Sequence, residues 1–116
     1  MAADCIFCKI AAGEIPAKIV RKSADAVAFH DLTPQAPTHV LVIPTTHYGA
    51  VRDARGAEGE VVLGRLMAFA AQVATDLGLD QGGYRLVTNT GADGGQSVFH
   101  LHLHLLGGRR FGWPPG

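Results

Sequence analysis

The chain has 116 residues, 47% of them hydrophobic and 17% charged, with ten basic and ten acidic side chains and a formal net charge of zero. At about one domain per 100–200 residues this is a single domain over 1–116, able to bury a core without disulfides and too apolar to stay disordered. The charge balance lacks the basic excess that nucleic acid or an anionic membrane requires, with Arg109-Arg110 a short local exception, so any phosphate is expected to be bound locally.

The start, Met1-Ala-Ala-Asp-Cys-Ile-Phe-Cys8, has an acidic residue where an export signal would be basic and no sustained apolar run before Lys9. No stretch reaches membrane-spanning length. Two cysteines at Cys-x-x-Cys spacing, without an export signal, point to the reducing cytoplasm and to a pair that is metal-binding or redox-active. Lys18-Ile-Val-Arg21 and Ala26-Val-Ala-Phe-His30 read as a hairpin turning at Ser23-Ala-Asp25. The segment from Asp31 to Thr38 carries two prolines and reads as a loop; His39-Val-Leu-Val-Ile43 is then an apolar strand stopped by Pro44.

From about Glu58 to Leu77, Val62, Leu66, Phe69, Val73 and Leu77 recur on one helical face, predicting an amphipathic helix that ends at Gly78. Gly64 inside it costs about 1 kcal/mol against alanine. Tyr84-Arg-Leu-Val-Thr-Asn89 reads as a strand, Gly91-Ala-Asp-Gly-Gly-Gln-Ser97 as a glycine-rich loop, and His100-Leu-His-Leu-His-Leu-Leu106 as an alternating strand. The tail, Gly107 to Gly116, suits neither a helix nor a central strand. Strands in hairpin order plus one long helix predict an α+β domain with a mostly antiparallel sheet of about five strands.

In a strand, residues at i, i+2 and i+4 share a face, so His100, His102 and His104 are expected to point one way and Leu101, Leu103 and Leu105 into the core. Neighbouring imidazoles would lie about 7 Å apart at Cα, near enough to share a substrate or a metal but poorly placed for a core. Their mutual repulsion when charged favours neutral, nucleophilic rings. Three uses fit this spacing: a solvated face, a metal site, or metal-free nucleophilic catalysis. Gly91, Gly94 and Gly95 could turn backbone N–H groups toward an anion, with the Ser97 hydroxyl beside them, which suggests phosphate, although Asp-Gly-Gly is also an ordinary turn.

His100-Leu-His-Leu-His-Leu-Leu106 matches the His-φ-His-φ-His-φ-φ signature (φ apolar) of the histidine triad family, and Gly94-Gly-Gln-Ser97 with Trp113-Pro-Pro-Gly116 resemble its Hint branch. The likeness continues through Ile6-Phe-Cys-Lys-Ile10, Phe29-His-Asp31, Pro34-Gln-Ala-Pro-Thr-His39, Ile43-Pro44, Asp76-Leu-Gly-Leu79 and Asn89. The resemblance implies a histidine-triad-like fold with a short N-terminal helix. It also implies a homodimeric hydrolase of purine nucleoside phosphoramidates and acyl-nucleotides.

Carried onto this chain, the resemblance makes His102 the nucleophile that attacks phosphorus and forms a nucleotidyl-imidazole, with its other ring nitrogen held by a backbone carbonyl or by His39. His104 would contact the phosphate and protonate the leaving nitrogen, assisted by Ser97. Asn89, Gln96, Gly95 and Val98 would orient the phosphate. Asp31 would accept from the ribose hydroxyls, unless it only caps the Pro34 loop, while Leu32, Ile10 and Phe29 would line the base pocket. Trp113 is either a packing anchor for the tail or, as in Hint relatives, part of a tail that reaches the partner's active site. His30 has no assigned role.

Some bacterial family members pair a Cys-x-x-Cys with two histidines, so Cys5, Cys8, His47 and His100 are the implied ligands of a structural zinc that leaves no open position for water. A redox pair and two idle thiols are the alternatives to zinc. Two rival functions remain. One is a dinucleoside polyphosphate hydrolase or nucleotidyl transferase using the same His102 intermediate, and the other is a nucleotide-binding regulatory or scaffolding protein. An open sheet edge is expected to pair with a second copy.

Overall fold

The computed structural model describes residues 4–116; residues 1–3, part of the start read as lacking an export signal, lie outside it. Its elements are α1 (Ile6–Ala11), β1 (Ile19–Lys22), β2 (Ala26–His30), β3 (Thr38–Pro44), α2 (Gly56–Asp76), β4 (Tyr84–Val87) and β5 (Leu103–Gly107), with one 3-10 turn at Val51–Asp53. The five strands form one antiparallel sheet in the order β1, β2, β3, β5, β4. This is the α+β architecture the sequence predicts, including the short N-terminal helix.

Both faces of the sheet centre are covered, so β2 and β3 are apolar on both sides. On one face Ala28, Val40, Val42, Leu101, Leu103 and Leu105 pack against Leu66, Ala70, Val73 and Ala74 of α2. On the other, Val27, Phe29, Leu41 and Ile43 pack against Phe7 and Ile10 of α1. The even-numbered histidines, out of phase with the leucines, therefore belong to the α1 side. Among the described residues, no helix is long and apolar enough to cross a membrane.

Helix α2 stops where the sequence places its end. Gly78 takes a φ of +74°, and the Gly78 and Leu79 amides return to the carbonyls of Thr75 and Ala74, closing a Schellman cap that glycine adopts without Cβ strain. Two expectations about strands are corrected. Strand β3 continues through Pro44, which pairs with Ala26, and β4 ends at Val87 rather than Asn89.

The larger correction concerns the histidine segment: β5 begins at Leu103, not His100. The preceding backbone bonds outside the ladder. The Leu101 amide donates to the carbonyl of Tyr48, the His100 carbonyl accepts from the His102 ring, and the His102 carbonyl accepts from the Thr88 hydroxyl.

Candidate functional site

His39, His100 and His102 are buried, and His104 is half-buried. The histidine face is thus not solvated, and the expectation that such imidazoles are poorly placed for a core fails because α1 covers them. Phe7 sets its ring edge-on to His102 at a centroid distance of 5.2 Å and to His100 at 5.9 Å. A buried ring nitrogen needs a partner, and that partner fixes whether the nitrogen carries the proton.

For His102, Nδ1 lies 2.6 Å from the His100 carbonyl oxygen. A carbonyl only accepts, so Nδ1 carries the proton and Nε2 the lone pair. Of the two holders weighed for this ring, the backbone carbonyl is the one the fold uses. His39 bonds elsewhere. Its Nδ1 accepts the Gln35 amide proton at 3.0 Å, which leaves its own proton on Nε2, 2.9 Å from His104 Nδ1 and 3.5 Å from Asp31 Oδ2. His104 Nδ1 therefore accepts, and the remaining His104 proton sits on Nε2.

The His102 and His104 rings are 5.0 Å apart and hold opposite equipment: a lone pair on one Nε2, a proton on the other. Burial pushes His104 below the ordinary imidazole range, and His102 and His39 push the same way against Asp31. His39 is lowered by burial, opposed by Asp31. Both directions favour neutral His39 and His104 rings near neutrality, as this arrangement of protons requires.

His100 turns its ring away from this pair. Its Nε2 donates to the Pro44 carbonyl at 2.9 Å, which directs the Nδ1 lone pair at Cys5 Sγ (3.4 Å), Cys8 Sγ (3.5 Å) and His47 Nδ1 (3.1 Å), while Cys8 Sγ is 3.2 Å from His47 Nδ1. A tetrahedral ion held by two sulfurs and two nitrogens spaces its ligand atoms by about 3.3–3.8 Å. Two thiols, two imidazoles and a carbonyl that orients the ligating ring suit such an ion, with separations of 3.1–3.5 Å that run slightly shorter than this spacing.

Asp31, His39 and His104 also bring ligand atoms together. There the Gln35 amide occupies the His39 Nδ1 lone pair, so the nitrogen facing the cluster bears a proton rather than a free pair. Chemically, such a hydrogen-bonded chain can relay a proton.

The predicted base-pocket residues do converge. Ile10, Phe29, Asp31 and Leu32 line a cavity of about 240 Å³ together with Phe7 and Leu41, and Leu32 lies exposed at its rim. Asp31 does the work of a turn residue as well, its Oδ1 accepting the Thr33 amide at 2.7 Å. The glycine-rich loop bonds largely to itself: the Gly95 amide donates to Ala92, that of Gln96 to Gly91, and that of Gly91 to the Gln96 side chain. The Gln96 amide group also donates to the carbonyls of Gly49 and Val98, so this side chain braces the loop.

Ser97 is exposed beside Cys5, Ile6 and His47, Val98 borders the same cleft, and Asn89 is half-buried. Trp113 is 84% exposed, which removes the packing-anchor reading within a single chain. Sequence reasoning missed Phe7, the Gln35 amide, Thr88 and the Pro44 carbonyl. Only Phe7 left a signal, since it stands between two cysteines that both turn inward.

A family model described as the HIT domain matches residues 12–111. The chain is 53% identical over 117 residues to an uncharacterised HIT-like protein of Synechocystis, covering 100% of both. It is 48% identical over 112 residues to the purine nucleoside phosphoramidase of Escherichia coli, covering 97% of this chain and 93% of that one. Among solved structures, a HIT family hydrolase from Legionella pneumophila superposes with a TM-score of 0.93 at 48% identity, over 97% of this chain and 100% of the other. A histidine triad protein from Clostridium difficile gives 0.92 at 42%, over 97% and 96%.

Proposed function

Since the chain belongs to the histidine triad (HIT) family, we propose that it is a hydrolase of purine nucleoside phosphoramidates and acyl-nucleotides, working through a nucleotidyl-histidine intermediate in the cytoplasm. One observation carries this reading: His102 Nδ1 is tied to the His100 carbonyl, which leaves an unprotonated Nε2 beside the protonated Nε2 of His104.

The purine enters the apolar cavity bounded by Phe7, Ile10, Phe29 and Leu32, and Asp31 accepts from the ribose hydroxyls with the lone pairs its turn leaves over. Val98, Asn89 and Ser97 would orient the phosphate, with Gln96 bracing the loop that carries Gly95 and Ser97. The His102 Nε2 pair forms a bond to phosphorus as the P–N bond breaks. The departing nitrogen keeps that electron pair and takes the His104 Nε2 proton, and the negative charge left on His104 is offset by the positive charge on the nucleotidyl-imidazole of His102. His104, now carrying a lone pair, removes a proton from the water that opens the intermediate. His39 Nε2–H donates to His104 Nδ1 throughout and stabilises negative charge on that ring.

Cys5, Cys8, His47 and His100 would hold zinc with no open position, so the metal's chemistry is structural. It would fasten α1, and with it Phe7, to the segment bearing His102. A homodimer is the assembly we favour: β4 is an open edge, and the tail leaves Trp113 free to meet a second copy.

The test is adenylate release from adenosine 5′-phosphoramidate by the wild type and by His102→Ala. Turnover that vanishes with His102 supports the reading. An inactive wild type overturns it in favour of dinucleotide substrates or a binding role.

A further inference from the structure

The site described so far makes no use of the Arg109-Arg110 pair or of the tail's path over the sheet. Gly108, at φ +87°, turns the chain leaving β5 against Pro37, where a Cβ would come within 2.9 Å of the proline ring. The turn delivers Arg109 to the loop between β2 and β3. There its Nε and one terminal nitrogen both donate to the Gln35 carbonyl, at 3.3 and 3.2 Å, and its other terminal nitrogen donates to the Arg110 carbonyl at 3.1 Å. The guanidinium also lies over the Phe111 ring at 4.2 Å. An exposed arginine held through three nitrogens and one face is an ordered clamp.

Gln35 is the residue whose amide proton occupies His39 Nδ1. Resting on the function proposed above, we infer that Arg109 is a positioning residue for acid catalysis: by clamping Gln35 it fixes the His39 tautomer, and thereby keeps a proton on His104 Nε2. Without the clamp the Gln35 amide is held against His39 from within its own loop, where the Gln35 side chain donates to the Thr33 carbonyl at 3.0 Å. When that amide shifts, the ring loses one of the two partners that keep its proton on Nε2, the other being Asp31 Oδ2 at 3.5 Å, and the donor to His104 Nδ1 is less firmly fixed. The tail, anchored a second time where Arg85 donates to the Gly112 carbonyl at 2.8 Å, is thus joined to the proton that the leaving group takes.

The test compares leaving groups. Arg109→Ala and Arg109→Lys are assayed on adenosine 5′-phosphoramidate, whose nitrogen must be protonated to depart, and on the p-nitrophenyl ester of adenylate, whose phenolate departs unaided. Arg109→Ala is expected to lower kcat on the phosphoramidate by about tenfold with KM little changed, and to leave the ester rate within about twofold of wild type. Arg109→Lys, which keeps one donor toward Gln35, falls between. Equal losses on both substrates, or no loss on the phosphoramidate, overturn the inference. Nitrogen-15 spectra of His39 and His104 separate its failure from that of the proposed function. Unchanged tautomers in Arg109→Ala overturn the clamp whatever the activity, whereas a wild type inactive on both substrates overturns the function alone.

Discussion

The carbonyl oxygen of His100 holds the ring of His102 at 2.6 Å, while the ring of His100 faces Cys5 and Cys8 at 3.4 and 3.5 Å. One residue therefore joins the thiol cluster to the proposed nucleophile, through its backbone on one side and its side chain on the other.

If His102 Nε2 forms the covalent intermediate, His102→Ala lowers turnover of adenosine 5′-phosphoramidate by at least about a thousandfold. Alkaline quenching of the wild type during turnover, followed by mass spectrometry, is expected to find the nucleotidyl group on the peptide carrying His102. A modified peptide elsewhere, or activity that survives the substitution, contradicts the assignment.

The cluster of Cys5, Cys8, His47 and His100 is expected to hold about one zinc per chain, and Cys8→Ser to lose most of it. Cobalt substitution offers a direct view of the ligands, since two thiolates give an intense near-ultraviolet charge-transfer band that imidazoles alone do not. Chelation is expected to lower the melting temperature, because the ion ties α1 to the sheet. A chelated protein that melts like the untreated one argues for idle thiols.

His39 and His104 are both lowered in the fold from an ordinary value of 6.5. Between the folded and the unfolded pKa the unfolded chain binds more protons, so stability rises with pH there. Their contribution is complete above about 6.5 and declines as pH falls through that value toward the lower folded ones. Melting temperature is expected to drop on the acid side of neutrality, and imidazole proton resonances of these two residues to titrate below 6.5. Activity should decline with them, since a protonated pair would place two cations 2.9 Å apart and erase the relay.

Two glycines of α2 invite opposite outcomes. Gly64 is exposed with open space around its missing Cβ, so Gly64→Ala is expected to stabilise by about 1 kcal/mol. Gly59 is buried where a Cβ would meet the Ala54 carbonyl carbon at 2.2 Å, so Gly59→Ala displaces the start of α2 and destabilises. Urea unfolding of the two variants checks both signs.

Removing residues 113–116 is expected to alter the ranking of amine leaving groups and leave the fold intact, since Trp113 is exposed in the single chain. Identical kinetics across several amines would show that the tail does not reach a partner's site.

Much of the fold was legible from periodicity alone. Leu101, Leu103 and Leu105 alternate into the core, Leu66, Phe69, Val73 and Leu77 mark the inward face of the helix, and Gly78 marks its end, because local geometry dictates each pattern. The start of β5 was not legible. Alternation predicts a strand from His100, yet the Tyr48 carbonyl and the Thr88 hydroxyl, both distant in sequence, draw that backbone out of the ladder.

For the site, the sequence determined the residue types and the spacing that put His102 and His104 on the face opposite the leucines. The tertiary structure decided which nitrogen holds each proton. That depends on whether a carbonyl or an amide lies against the ring, and those partners come from Gln35, Pro44 and the backbone of His100 itself. The family resemblance already sets His100 apart from His102 and His104, and the tertiary structure shows what separates them physically: the His100 ring lies against the thiols, while the His104 ring lies against His39, with the His102 ring beside it. Identical residues two positions apart carry no such distinction until α1 packs over them and encloses one with sulfur.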